Sequence, residues 1–109
     1  MHEEIYERLK EVAKGGTVTY YSDIAPMAGL DMNLPNDRYE IGAILDDINQ
    51  HEHRAGRPMI SAVVVHKDSL KPGKGFFVLA QSLNLFDGKD EDKFYINELR
   101  KVHDYWRSK

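Results

Sequence analysis

A chain of 109 residues with 41% hydrophobic and 30% charged residues has the balance of a folded domain, and the absence of cysteine excludes disulfides, thiolate nucleophiles and sulfur-rich zinc sites. A net charge of −3 argues against generic adhesion to a phosphate backbone, which needs an excess of lysine and arginine. No apolar run approaches the roughly 18–20 residues of a membrane span; the longest, Ile60 to Val65, has the length of a strand. Taking the chain in order, Ile5, Tyr6, Leu9, Val12 and Ala13 recur at helical spacing, and Gly15-Gly16 stops them. Glu3, Glu4, Glu7 and Glu11 on that helix speak against a signal or transit peptide, so the expected location is cytoplasmic. Thr17 to Tyr20 is β-branched and aromatic and reads as a short strand. Ser22 is placed to cap a second short helix that Pro26 makes irregular and Gly29 ends. Asp31 to Asn36 is turn chemistry around Pro35.

Ile41, Ile44, Leu45 and Ile48 form one stripe, predicting a third helix over about 36–52, broken by Ala55-Gly56-Arg57-Pro58. Met59 to His66 reads as a strand, with Ala62 to Val65 buried on both faces. Lys67 to Gly75 is a polar, glycine-containing loop. Phe76, Leu79, Ala80 and Leu83 favour a fourth helix, although Phe76 to Leu79 is equally compatible with a returning strand. Asp87 to Asp92 is a turn whose carboxylates suit a helix N-terminus, and Tyr95, Leu99, Val102 and Trp106 line one face of a last helix. One domain over residues 1–109, of α+β class and winged-helix-like, is the simplest architecture for this order.

The charge is unevenly laid out. Residues 22–50 carry Arg38 against six carboxylates, a net of −5, whereas residues 51–75 carry five cations against Glu52 and Asp68, a net of +3.

Gly16-Thr17-Val18-Thr19-Tyr20-Tyr21-Ser22-Asp23-Ile24-Ala25 resembles the opening of the helix-turn-helix in the C-terminal domain of O6-alkylguanine-DNA alkyltransferases and alkyltransferase-like proteins, with Tyr21 at the tyrosine position. Tyr39-Glu40-Ile41-Gly42-Ala43 resembles the recognition-helix segment, and Arg57-Pro58-Met59-Ile60-Ser61-Ala62-Val63-Val64 the active-site strand. The likeness spans residues 3 to 83, with the loop ending Gly73-Lys74-Gly75 as the wing. It implies a winged helix that reads DNA. The reactive centre departs from the family: Met59 stands for the cysteine, Ile60 for the histidine and Ser61 for the arginine. Tyr39 takes the place of the arginine that props an extruded base, with Arg38 one residue away.

Other candidate chemistry has a plainer reading. His51 and His53 lie two apart on a helix and point to different faces, so they do not converge on one metal ion. Ser61 and His66 lack the sharp exposing turn and oriented base of a nucleophilic pair. Lys71-Pro72-Gly73-Lys74-Gly75 is no P-loop, because Lys74 is followed by Gly75 rather than by Ser or Thr. Asp46-Asp47 reads as a polar helix face, and Asp90-Glu91-Asp92 as dipole complementarity. Tyr20, Tyr21 and Tyr39 suit either an unstacked base or the edge of the core. No catalytic residue, metal or cofactor is expected. The leading expectation is a DNA partner, with Tyr21, Arg38 and Tyr39 at the groove, Lys67, Lys71 and Lys74 on the backbone, and Arg57 also among the binding residues. The alternative is a protein partner met by the acidic helix 36–52 or the basic loop 66–75.

Overall fold

The computed structural model describes every residue from Met1 to Lys109. Helix α1 (Glu3–Lys14) leads through strand β1 (Thr19–Tyr20) into the short α2 (Tyr21–Ile24), which tightens into a 3-10 turn over Ala25–Ala28. Then come α3 (Pro35–Arg54), a 3-10 turn over Ile60–Val63, strand β2 (Val64–Val65), α4 (Lys74–Ser82) and α5 (Glu91–Arg107). The class is α+β, mostly helical, with one two-stranded parallel sheet that pairs Thr19 with Val64 and Tyr20 with Val65.

The helix ends follow local chemistry. His2 Nδ1 accepts from the Ile5 N–H at the start of α1, and Asp90 accepts from the Lys93 N–H at the start of α5. Helix α2 begins one residue before the expected Ser22 cap, because Tyr20 is already committed to the sheet; its cap position makes no side-chain hydrogen bond. Pro26 sits in the first turn of the 3-10 segment, where its missing N–H costs nothing, and Gly29 ends the turn at φ 71°. Helix α3 opens on Pro35, and Asp37 in its first turn accepts from the Asp31 N–H at 2.9 Å.

The predicted strand over Met59–His66 is mostly not a strand. Its apolar residues are buried as expected, but only Val64–Val65 pairs. Upstream, other side chains satisfy the backbone: Glu98 accepts from the Met59 N–H at 2.8 Å, Asn49 accepts from the Ser61 N–H at 3.1 Å, and the Tyr95 hydroxyl donates to the Ala62 carbonyl at 3.0 Å. A ladder is not needed where side chains supply the partners. Helices α1, α3 and α5 all pack on this turn, which makes it the centre of the core.

Residues 66–73 are followed by α4, so Phe76–Leu79 is helical and no returning strand builds a hairpin wing. The loop closes on itself instead, with the His66 N–H donating to the Lys71 carbonyl and the Leu70 N–H to the His66 carbonyl, both at 2.9 Å. Phe76, Phe77, Phe86, Phe94 and Tyr95 knit α4 to α5 in a run of tilted and edge-to-face aromatic contacts. No helix is long and apolar enough to cross a membrane.

Candidate functional site

A cleft of about 440 Å³ opens between the N-terminal half of α3, Tyr21 at the head of α2, and the segment where the loop enters α4. That is within the usual size of a small-molecule or single-residue pocket, roughly 300–1,000 Å³. Tyr39, Gly42 and Asp46 recur at i, i+3 and i+7 along one face of α3 and form one wall. A Cβ at Gly42 would meet nothing within 4 Å, so that wall is open between the tyrosine and the carboxylate. Gly73, Lys74 and Gly75 form the opposite lip, and Ser61 and Phe76 contribute to the lining.

Tyr21 organises the interior. Its hydroxyl accepts from the Gly73 N–H at 2.7 Å, and its ring lies 4.5 Å from that of His66 at a 32° tilt. The phenol is thereby fixed in place while its own proton stays free to donate. Burial, and secondarily the charge of Asp46, raises its pKa, so it remains a donor at neutral pH. A Cβ on Gly73 would lie 3.4 Å from the Tyr21 hydroxyl and 3.5 Å from His66 Nε2, so the lip approaches about as closely as a side chain would allow.

Four of the seven residues expected at a binding surface meet here: Tyr21, Arg38, Tyr39 and Lys74. Tyr39 is 79% exposed, so its ring stands open at the edge of the cleft. Lys67 lies beside the cleft in a smaller hollow shared with Tyr20, Tyr21 and His66, its Nζ 5.4 Å from the Tyr20 ring. Arg38, Lys67 and Lys74 enter no ion pair, whereas Lys71 is tied to Asp92 at the start of α5.

Arg57 does not belong to the surface expected of it. Its Nε and Nη2 donate to Glu52 Oε2 at 3.0 and 2.6 Å, and Tyr6 donates to the same oxygen at 2.8 Å. Glu52 is completely buried, so the pair is an element of the core, with the guanidinium 5.9 Å from the Trp106 ring. Glu52 Oε1 and Trp106 Nε1 are left without partners there. His51 sits edge-on against Tyr6 at 5.5 Å, and no group of three or more His, Asp or Glu side chains is gathered as a metal site.

Two cleft residues were placed elsewhere by sequence reasoning. Asp46, which the sequence places on a polar helix face, is half-buried in the wall, and burial raises its carboxyl pKa. The segment 57–64 was aligned with Met59 at the reactive position, yet Met59 is 1% exposed and turned into the core, and Ser61 is the residue that lines the cleft. Asn49 Nδ2 donates to Ser61 Oγ at 2.6 Å, so the hydroxyl is held by α3 while His66 is engaged with Tyr21. The spacing of Tyr39, Gly42 and Asp46 was the available sequence signal for the wall. Nothing local signalled Ser61. Comparison with protein-family models, with curated proteins and with solved structures returns no match for this chain.

Proposed function

We propose that this chain is a non-catalytic, winged-helix-like nucleic-acid-binding module in which α2 and α3 act as the helix-turn-helix pair and the loop 66–73 stands in for a wing. The observation that carries the reading is the cleft itself: Tyr21 inside, a highly exposed Tyr39 at its edge, and three unpaired cations, Arg38, Lys67 and Lys74, around it. Tyrosine faces accept an unstacked base without demanding a sequence, and the cations suit the flanking phosphates.

The acidic composition of α3 is less of an obstacle than its sequence implies. Glu52 is buried, Asp37 is bonded to the loop before the helix, and Asp47 lies 3.6 Å from the N-terminal amine. These three are thereby partly or wholly screened from a phosphate, whereas Glu40 stays exposed and Asp46 lines the cleft without an ion pair. A protein partner is the second reading, favoured by exposed Leu34 and Tyr39 near the start of α3.

Fluorescence anisotropy with single-stranded and duplex DNA across a range of salt separates the two. Nucleic-acid binding should weaken linearly in a log–log plot. Replacing Arg38, Lys67 and Lys74 together by alanine should reduce the slope by about two to three, roughly one counterion per cation. Lys71→Ala should change it less, because Asp92 already neutralises that lysine. No affinity for either form of DNA at low salt would leave the protein partner as the surviving reading.

A further inference from the structure

We propose that Asp46 makes the cleft selective for a nucleobase carrying an exocyclic amine, cytosine over thymine in particular. This rests on the nucleic-acid reading above. Asp46 forms no ion pair and no side-chain hydrogen bond, although it is half-buried in the wall of the cleft that Tyr21 also lines. A half-buried carboxylate without protein partners has lost part of its hydration and is open to a ligand that supplies donors. An ionised carboxylate only accepts, and the Tyr21 hydroxyl, already accepting from Gly73, has its proton to donate. The cleft is therefore lined by both an acceptor and a donor, with Arg38 and Lys74 also in its lining for phosphate.

Cytosine matches that pair. Its N4 amine donates to a carboxylate, a recognised pairing, and its ring N3 beside the amine accepts from a hydroxyl. Thymine puts a carbonyl where the amine would be, and its single ring N–H lies between two carbonyls that repel a carboxylate. The two bases share ring size and charge, so stacking on Tyr39 separates them little.

The test is anisotropy with labelled oligo-dC and oligo-dT of equal length at neutral pH and low salt. Wild-type protein should bind oligo-dC about tenfold more tightly, within the range expected of one well-placed base contact. Asp46→Asn offers a donor as well as an acceptor in the same shape. It should bring the two affinities to within about twofold while leaving the salt slope unchanged. Equal wild-type affinities, or a preference that persists in Asp46→Asn, would overturn this inference while leaving DNA binding intact. Absence of binding to both oligonucleotides would overturn the nucleic-acid reading, and this one with it.

Discussion

Replacing Arg57 by methionine should be among the most damaging single changes in the chain, although the residue is partly exposed. Glu52 is completely buried, and its Oε2 takes two N–H groups from Arg57 and one hydroxyl from Tyr6, while Oε1 has no partner. Without Arg57 a carboxylate remains in the core with one neutral hydrogen bond. Removing one partner of a buried pair costs about 3–5 kcal/mol. Methionine keeps part of the aliphatic cover over Trp106, so the lower half of that range, about 3–4 kcal/mol, is expected. Urea denaturation with linear extrapolation reads this directly. Removing the whole network, as Tyr6→Phe with Glu52→Met and Arg57→Met, should recover most of the loss, because an apolar set of similar volume strands no charge. A loss below about 1 kcal/mol for Arg57→Met would refute the reasoning, since that is what a surface ion pair contributes.

Tyr6 and Tyr95 are both pushed up to about 12 from the ordinary tyrosine value of 10.0, each chiefly by burial, with the Glu52 carboxylate adding to the effect at Tyr6. Because the folded state holds those protons longer, the stabilisation is complete below about pH 10 and is lost as pH rises toward 12. Absorbance at 295 nm should show these two tyrosines un-ionised at pH 11 in native protein, and a common titration of all six near pH 10 would contradict their burial. Leu45→Ala should cost on the order of 2–5 kcal/mol, since Leu45 is 4% exposed in the stripe that α3 turns to the core. A loss within about half a kilocalorie would mean the stripe is misassigned.

What the sequence made legible was whatever depends on neighbours along the chain. The stripes of α1, α3 and α5 could be read from periodicity, and each helix covers its expected span, α3 running to Arg54 rather than Glu52. Ile5, Leu9, Ile24, Ile41, Leu45, Ile48, Val63 and Val65 are buried as their spacing required, with Ile44 only partly so. Residues 59–63 of the expected strand differ because their hydrogen-bond partners come from Asn49, Tyr95 and Glu98, 12 to 39 residues away. A run of apolar residues does not announce that its backbone will be satisfied by side chains instead of a ladder. Glu52 and Arg57 were misread for the same reason. As isolated charges they belong to the surface, and only the approach of Tyr6, 46 residues from Glu52, completes a network that buries Glu52 and holds Arg57 half-buried over it. Tyr21, Arg38, Tyr39 and Lys74 line one cleft, but that cleft, and the place of Asp46 and Ser61 in it, depend on how α3 packs against the 3-10 turn at Ile60–Val63.

The most direct test of a nucleic-acid cleft is to titrate a short single-stranded oligonucleotide into isotopically labelled protein and follow the backbone amides by NMR. Shifts should concentrate at Tyr21, at Arg38 to Asp46, and at His66 to Phe76, the residues that border the cleft and its neighbouring hollow. They should leave the Glu52–Arg57 network and the outer face of α5 undisturbed. Shifts spread evenly over the chain, centred on α5, or absent at low salt would contradict the cleft as the binding site.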